Sequence, residues 1–418
     1  MNHSCHAFRR KSLVIALSLA LPMVTSVSQA ADADLQAQID DLKNQVTALS
    51  SEVQQAAEWK NPNTLMHMAG FADVKFVKPK NGDGSFNVGS FSPIFHYQYR
   101  DLVMLESEIE FGVAANGETT IEMGYMTIDW FVSDYVAVIA GKFLSPIGQF
   151  RQNIHPSWIN KMVSAPPGFG HDGAAPISDM GIQLRGGFPI AGIRTNYSVY
   201  VSNGPELKSE IEADGTEFET GLDGITADGF GADRDGKKTY GGRYAILPVP
   251  SLEIGLSYAT GKATVTEIEN SEDGLRPAGD IEGQPLRDYD VVGADFVWFS
   301  GNMSIRGEYV KSEIGADPTV YVPGNEPVGA TASGSAIWEA TYVQAAYRLP
   351  NTKWEGVLRY GDFDSPHNSK DQKQATVGIN YLVTNNFIAK VTYEFNDGKV
   401  AGSAADNDRL LTQLAYGF

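Results

Sequence analysis

Apolar and polar residues alternate along many short stretches of this chain, most clearly at its C-terminal end. From Arg409 to Phe418, one face of a β-strand would carry Leu410, Thr412, Leu414, Tyr416 and Phe418. The other face would carry Arg409, Gln413 and Gly417. The last residues of soluble proteins are usually frayed and polar. A strand with one apolar face and a terminal aromatic residue is instead typical of the closing strand of a transmembrane β-barrel.

The same alternation predicts sixteen strands whose connections differ in length. The predicted strands are 65–78, 86–99, 102–114, 118–131, 134–144, 179–189, 193–203, 239–248, 251–263, 288–299, 302–314, 337–349, 352–364, 372–383, 386–397 and 408–418. Connections after even-numbered strands are short, such as Ser133 and Gly301, whereas most connections after odd-numbered strands are long, such as 204–238. Outer-membrane barrels have short periplasmic turns and longer external loops.

We therefore expect an all-β fold, a transmembrane antiparallel β-barrel of sixteen strands within residues 59–418, with both ends on the periplasmic side. The alternative is a soluble all-β protein with many hairpins. Loops of thirty or so residues would be unusual in such a compact domain.

Residues 1–31 have the features of a secretory signal peptide. Three basic residues, 9–11, precede an apolar stretch, 12–24, that is too short to span a membrane as a helix. The small residues around Ala30 fit a cleavage site, so we expect cleavage after Ala30 or Ala31.

Residues 32–58 show a helical repeat instead of a strand pattern. Apolar residues recur in a heptad seam at Leu35, Ile39, Leu42, Val46, Leu49 and Val53. The seam is narrow and polar residues flank it, which predicts a short periplasmic helical coiled coil. An amphipathic helix packed on a core is the alternative. β-Branched residues at one seam position and Leu at the other nominally favour a coiled coil of two helices.

Composition and charge exclude several classes of protein. The net charge is −19, and it becomes −22 when the three basic residues of the signal peptide are removed. Nucleic-acid binding is not expected, because it requires clustered Lys and Arg. The only Cys, Cys5, lies in the signal peptide, so the mature chain would contain no disulfide. Beyond the signal peptide no run of about 18 apolar residues predicts a spanning helix.

The connection after the fifth predicted strand, residues 145–178, is the most informative loop. It is rich in Pro and Gly, and Phe150, Trp158 and Phe169 give it enough apolar surface to fold. We expect it to fold into the barrel and to narrow the pore. The candidate constriction residues on it and beside it are Lys142, Arg151, His155, Lys161, His171, Asp172 and Arg185.

Strand alternation also predicts which charged residues line the pore wall. A lipid-facing Lys or Arg costs roughly 2–4 kcal/mol at the membrane midplane, so charged residues should point inward. The predicted wall residues are Glu106, Glu108, Glu110, Arg194, Arg243, Arg306, Arg359 and Lys390. Carboxylates on early strands facing cations on later strands would create a transverse field across the pore. The alternative is that these charges pair with one another to hold the loop and the wall.

The predicted external loops are acidic. Residues 204–238 contain ten acidic residues, and residues 264–287 contain six. Such loops could bind divalent cations or attract cations to the mouth, although a solvated acidic surface is the simpler explanation. They contain no EF-hand pattern, and we expect no other cofactor.

The sequence gives no support for catalysis. It contains no G-x-S-x-G motif, and the glycine spacing in Gly255–Lys262 is one residue too long for a phosphate loop. His155 and His171, which lies next to Asp172, are more simply explained as hydrogen-bonding residues of a polar loop. We therefore expect no enzyme.

Two motifs resemble a known family. The sequence P-I-F-H-Y-Q-Y-R-D at Pro93–Asp101 and L-E-S-E-I-E-F at Leu105–Phe111, together with the loop after strand five, resemble the phosphate-selective porin O and P family of Gram-negative outer membranes. The resemblance extends from about Thr64 to Phe418 and is strongest in Leu102–Gly187.

This resemblance implies a trimeric sixteen-stranded barrel whose third long loop constricts the pore. Its expected partners are two further copies of the chain, outer-membrane lipids and lipopolysaccharide, the barrel-assembly machinery and small solutes. Phosphate-selective members line their pores with a dense series of Arg and Lys, which has no residue-by-residue match here.

The expected function is therefore a channel for passive diffusion of small hydrophilic, charged solutes in the bacterial outer membrane. The candidate constriction residues Lys142, Arg151, Lys161 and Arg185 would attract anions, whereas the acidic external loops would attract cations. The sequence therefore does not decide between anion and cation selectivity. A tethering role for the coiled coil, or a barrel enzyme such as a lipase, is the alternative.

Overall fold

The structure is a computed structural model. It describes residues 43, 64–114, 116–170, 173–214, 217–226, 233–271, 279–282, 284–315, 319–320, 328–329, 336–366 and 370–418. The predicted signal peptide, the predicted coiled coil apart from Lys43, and the predicted site residues His171 and Asp172 lie outside the described residues. No helix among the described residues is long and apolar enough to cross a membrane.

Sixteen antiparallel strands form one sheet, which confirms the predicted strand count. The sheet contains seventeen segments, but Pro189–Ile190 continues the strand Ser178–Gly186, because both pair with the same neighbour. We label the strands β1 Thr64–Pro79, β2 Ser85–Tyr99, β3 Val103–Val113, β4 Thr119–Ser133, β5 Val136–Leu144, β6 Ser178–Gly186, β7 Ile193–Ser202, β8 Thr239–Val249, β9 Leu252–Ala263, β10 Arg287–Ser300, β11 Met303–Ile314, β12 Ala336–Arg348, β13 Trp354–Asp364, β14 Gln372–Leu382, β15 Phe387–Gly398 and β16 Arg409–Gly417.

The sheet closes because β16 pairs with β1. Their register runs from Phe71 opposite Gly417 to Pro79 opposite Arg409. Gly70 and Phe418 exchange two backbone hydrogen bonds of 3.0 Å at the end of this seam. The ring of Phe418 also stacks on Phe91, with centroids 6.0 Å apart. Closure leaves no unpaired edge strand, which a membrane-spanning sheet requires.

Strand alternation separates an apolar outer face from a polar inner face. On β14, Val377 and Ile379 are exposed on the outside, whereas Thr376 and Asn380 are buried on the inside. On β16, Leu414, Tyr416 and Phe418 are exposed outside, as the sequence predicts.

Exposed aromatic residues form bands near both ends of the barrel. Near the short turns lie Trp130, Trp298, Tyr347 and Trp354, and near the long loops lie Tyr240, Tyr258 and Tyr360. Trp354 and Tyr360 on β13 are separated by about 20 Å at the usual rise of a strand. Aromatic girdles of this kind flank the apolar band of outer-membrane barrels.

The connections confirm the predicted difference between the two ends. We call one end the short-turn end, because β4 and β5 are joined there by only two residues and the chain ends there at Phe418. At the opposite, long-loop end, Glu206–Asp214, Glu217–Thr226, Val265–Ser271 and Gly279–Asp280 form a separate four-stranded sheet. The loop between β5 and β6, residues 145–177, is called the inner loop below.

At the long-loop end the seam between β1 and β16 is continued by polar contacts. Lys80 Nζ lies 3.0 Å from Asp408 Oδ2, and Asn81 N donates to Asn407 Oδ1. A hydrogen bond from the Asn396 backbone, together with the Lys80 ammonium, lowers the pKa of Asp408 below its ordinary value.

The barrel interior contains a hydrophobic core. It joins inner-loop residues such as Phe150 and Phe169 to wall residues such as Trp338 and Tyr342, and to Leu207 of the four-stranded sheet. Trp338 and Leu207 are completely buried. Because this core includes wall residues from β5, β7 and β9–β13, one side of the lumen is filled with packed side chains.

Candidate functional site: the barrel interior and the inner loop

The inner loop crosses the lumen and is anchored to strands that follow it far along the chain. Its first anchors lie on β9 and β11. Ser257 Oγ accepts a 3.1 Å hydrogen bond from Gly148 N, and Glu308 Oε2 accepts 3.2 and 3.0 Å bonds from Gln149 N and Phe150 N. These donors begin the single π-helical turn Phe150–Ile154. Glu308 is therefore a buried carboxylate that fixes the start of the loop.

Lys390 on β15 anchors the middle of the loop. It is only 1% exposed, and its ammonium donates to the backbone oxygens of Ser157, Asn160 (2.6 Å) and Met162 (3.3 Å), and to Gln413 Oε1 (2.8 Å). A buried ammonium needs such partners, because its desolvation is otherwise very costly. Lys390 therefore binds the loop, and its buried ammonium is not presented to solutes in the pore.

Arg359 on β13 anchors the last third of the loop. Its guanidinium donates to the Ser164 and Ala165 backbone oxygens at 2.9 and 3.1 Å, and to Gln374 Oε1 at 2.9 Å. Lys161 of the loop lies 2.7 Å from Glu355 on the same strand. These polar contacts, with those of Lys390, hold the loop against β13–β15.

Aromatic packing complements the polar anchors. Phe169 meets Tyr342 at 5.0 Å between centroids, nearly perpendicular, and Phe150 contacts both rings. Edge-to-face pairs of this kind each contribute about 0.5–1.5 kcal/mol beyond their burial. The loop is therefore fixed by an apolar cluster as well as by charged anchors.

Gly148 is required where the loop meets β11. Its φ is +73°, and a Cβ there would lie 1.7 Å from Glu308 Oε1. We expect Gly148→Val to displace the start of the loop, so that single-channel currents in planar bilayers become larger or fluctuate. Gly117→Val is the matched control, because Gly117 also has a positive φ, +87°, but has no atoms within 4 Å of the added Cβ. Equal behaviour of the two variants would show that the contact with Glu308 does not position the loop.

A cavity of about 680 Å³ lies between the inner loop and the β1–β5 wall. Its charged lining residues are Asp73, Lys75, Glu108, Glu110, Glu122, Lys142, Arg151, His155 and Lys208. Glu108 is only 3% exposed, and it is one of the residues that line this cavity. The cavity is the polar part of the lumen, on the side opposite the loop anchors.

Charged groups of the loop and of the wall meet in this cavity. His155 Nε2 lies 3.9 Å from Glu108 Oε1, and Arg151 donates to the Gly170 backbone oxygen. Lys142 on β5 donates to Met123 O at 2.9 Å. Carboxylates of β3 and β4 thus face cationic groups supplied by the loop and by β5.

Glu110 and Glu122 lie directly opposite each other on β3 and β4. Like charges at directly opposite positions destabilise a sheet. Both side chains line the cavity, so solutes and ions can reach this pair of repelling carboxylates.

The remaining predicted residues are distributed over the wall. Arg185 lies 3.6 Å from Asp129 on β4, and it belongs to β6 near the short-turn end. Arg194 is exposed on β7 at the same end. Arg306 is half-buried on β11. The structure therefore brings Lys142, Arg151 and His155 together, but it places Lys161 against Glu355 and Arg185 against Asp129.

Arg243 on β8 belongs to a buried network. It makes two hydrogen bonds of 2.8 and 2.6 Å to Asp295 and further bonds to Glu253 (2.9 Å) and Asn196 (3.0 Å). The network braces β7–β10, and Glu253 also accepts a bond from Gln149 of the inner loop. Glu106 on β3 contacts His96 at 3.3 Å instead of a guanidinium.

Four charged cavity residues were not among the predicted site residues: Asp73, Lys75, Glu122 and Lys208. Asp73 and Lys75 share the inner face of β1, which strand alternation could have revealed. Among the described residues no group of three or more His, Cys, Asp or Glu side chains is arranged to hold a metal ion.

A closed antiparallel barrel with an inward-folded loop and a charged, partly open lumen defines a porin-type channel. A family profile supports this class independently, because it matches residues 206–418. The chain belongs to the phosphate-selective porin O and P family and is an outer-membrane porin. The matched residues lie after Pro93–Phe111 and Leu102–Gly187, which carry the resemblance noted from the sequence. The family assignment therefore does not depend on those motifs.

Solved structures share the fold at low sequence identity. An anion-selective porin from Comamonas acidovorans has a TM-score of 0.55 and 14% identity, and the alignment covers 85% of this chain and 100% of that chain. The outer membrane channel DcaP of Acinetobacter baumannii has a TM-score of 0.52 and 12% identity, with coverage of 86% and 98%. OmpT of Vibrio cholerae, in its trimer form, has a TM-score of 0.50 and 12% identity, with coverage of 85% and 99%. A search of curated protein sequences gave no match.

Proposed function

We propose that small hydrophilic, charged solutes cross this porin by passive diffusion through the cavity between the inner loop and the β1–β5 wall. The observation that carries the proposal is that buried, charged side chains of the later strands hold the loop by hydrogen bonds. Its charged anchors lie on β11, β13 and β15, so the loop narrows the lumen while the charged cavity stays on the other side.

Phosphate selectivity is not part of this proposal. The cavity contains four carboxylates and four Lys or Arg side chains, and the most buried cations of the later strands, Arg359 and Lys390, bind the loop. A dense cationic lining, which phosphate would require, is not supported by this arrangement.

Purified protein should produce stepwise conductance in planar bilayers. In a potassium chloride gradient the cation-to-anion permeability ratio should lie within a factor of about three of unity, because opposite charges nearly balance in the passage. The reversal potential measures this ratio, and bilayers that receive detergent alone are the control. Absence of steps would contradict the channel proposal, and strong anion selectivity would contradict the proposed passage.

We also propose that the porin is a homotrimer with an N-terminal periplasmic coiled coil, residues 32–58, preceded by a cleaved signal peptide, residues 1–31. The trimer form of OmpT supports the assembly by analogy, and the heptad seam supports the coiled coil. Outer-membrane lipids and lipopolysaccharide would contact the apolar outer band. The assembly machinery would recognise the C-terminal strand that ends at Phe418.

A further inference from the structure

A chain of buried hydrogen bonds runs from the inner loop to the seam at which the barrel closes. Lys390 on β15 binds the loop backbone, and its ammonium also donates to Gln413 Oε1 on β16 at 2.8 Å. Gln413 Nε2 in turn donates to Asp73 Oδ2 on β1 at 2.9 Å. Asp73 Oδ1 accepts a 3.2 Å bond from the Ser90 hydroxyl on β2. The chain therefore links the loop to β15, β16, β1 and β2, and it crosses the seam between β16 and β1.

The three central side chains of this hydrogen-bond chain are shielded from water. The exposed fractions are 1% for Lys390, 4% for Gln413 and 7% for Asp73. A buried polar group that loses its partner does not regain a hydrogen bond from water, so the loss is costly. Bonds that involve an ammonium or a carboxylate are also stronger than neutral ones. Each link therefore stabilises both the docked loop and the closed seam.

The loop also contacts the last residue pair of the seam. Phe71 on β1 and Gly417 on β16 lie directly opposite each other. The ring of His155 meets Phe71 edge to face, with centroids 6.1 Å apart. Trp158 covers Gly417 so closely that a Cβ on Gly417 would lie 2.6 Å from the indole Cε2 atom. The loop thus packs on both seam strands, in addition to its link through the hydrogen-bond chain.

These contacts make loop docking and seam pairing depend on each other. When β16 separates from β1, Gln413 loses Asp73, and the loop can no longer contact both strands of the seam. Coupling between two equilibria acts equally in both directions. Release of the loop should therefore weaken the pairing of β16 with β1.

We infer that Gln413 and Asp73 are positioning residues of the pore, which couple closure of the barrel to docking of the inner loop through Lys390. The constriction is then complete only in a closed barrel, and a released loop loosens the seam. This inference rests on the proposed passage, because the loop is the element that narrows it.

Gln413→Leu tests the coupling, because it removes both central links without changing a charge. In planar bilayers we expect the ratio of time spent at higher conductance to time spent at the wild-type level to rise at least about tenfold. This is the size expected when one hydrogen bond to a charged group is lost. Thr392→Val is the matched control, since Thr392 is also buried on the inner face of β15, and its hydroxyl has no hydrogen-bond partner among the described residues.

A double-mutant cycle distinguishes positioning through Lys390 from general support of the barrel. In a Lys390→Met background, Gln413→Leu should change the same ratio by less than about twofold, because both substitutions break one chain. A residue that merely supports the barrel would add its full effect to that of Lys390→Met.

Hydrogen exchange of the last strand tests the coupling from the side of the loop. Gly148→Val disturbs the loop at Glu308 on β11, which is not a seam strand. In detergent micelles we expect the amides of residues 409–418 to exchange at least about threefold faster in this variant than in the wild-type protein. Gly117→Val is the control here as well.

The outcomes separate this inference from the proposed function. Wild-type conductance in a folded Gln413→Leu protein, full additivity with Lys390→Met, or unchanged exchange in Gly148→Val would each overturn the coupling while the wild-type porin still conducts. If Gln413→Leu does not fold, the exchange measurement on Gly148→Val decides. Absence of conductance steps in the wild-type protein would instead overturn the proposed channel.

Discussion

Channels of a Lys390→Met/Arg359→Met variant will conduct more current than wild-type channels. Both side chains are almost completely buried and donate to backbone oxygens of the inner loop. A hydrogen bond to a charged group contributes about 1.5–3 kcal/mol, so a net loss of about 3 kcal/mol would change the ratio of docked to released loops about 100-fold. A released loop leaves a wider lumen.

Single-channel recordings in planar bilayers measure this change. Lys353→Met/Arg348→Met is the matched control. Lys353 is exposed and Arg348 half-buried at the short-turn end, and both donate only to nearby backbone oxygens of that end in the described contacts. Unchanged conductance in a folded Lys390→Met/Arg359→Met protein would contradict this prediction. It would mean that the apolar cluster of Phe150, Phe169 and Tyr342 holds the loop without the hydrogen bonds of the two cations.

A Glu110→Lys/Glu122→Lys variant will become strongly anion-selective. The two substitutions change the charge of the passage by four units. At about 6 Å in water one unit charge changes the energy of a passing ion by roughly 0.7 kcal/mol, so at low salt the four units should raise the anion permeability and lower the cation permeability by up to about 100-fold each. Screening will reduce the effect as the salt concentration rises.

Reversal potentials in a salt gradient measure the shift at two ionic strengths. Glu118→Lys changes charge in the same hairpin but outside the cavity, so it should shift the ratio far less. If Glu118→Lys shifts the ratio as much as the double variant does, or if the double variant keeps the wild-type reversal potential, ions do not pass between β3, β4 and the loop.

The sequence predicts the barrel well because the membrane imposes a simple rule on it. Each strand must alternate between lipid and lumen, and closure requires an even number of strands when both ends share one side. The predicted strand 408–418 therefore corresponds to β16, Arg409–Gly417, and the predicted strand 86–99 corresponds to β2, Ser85–Tyr99.

The role of each inward charge was not predictable from alternation. Arg359 and Glu110 both point into the lumen, but Arg359 is covered by Ser164 and Ala165, whereas Glu110 borders the cavity. The path of the inner loop decides between these roles. That path depends on contacts with strands far along the chain, which local patterns do not encode.

The anchors of the inner loop have a consequence for biosynthesis. Asn160 and its anchor Lys390 are 230 residues apart, and Ser164 and Arg359 are 195 residues apart. A chain is synthesised and exported from its N-terminus, so Phe150, Trp158 and Phe169 emerge long before the strands that bind them. Contacts between such distant residues also form slowly. We therefore expect the loop to dock late, so that its aromatic residues stay unpacked until β15 has joined the sheet.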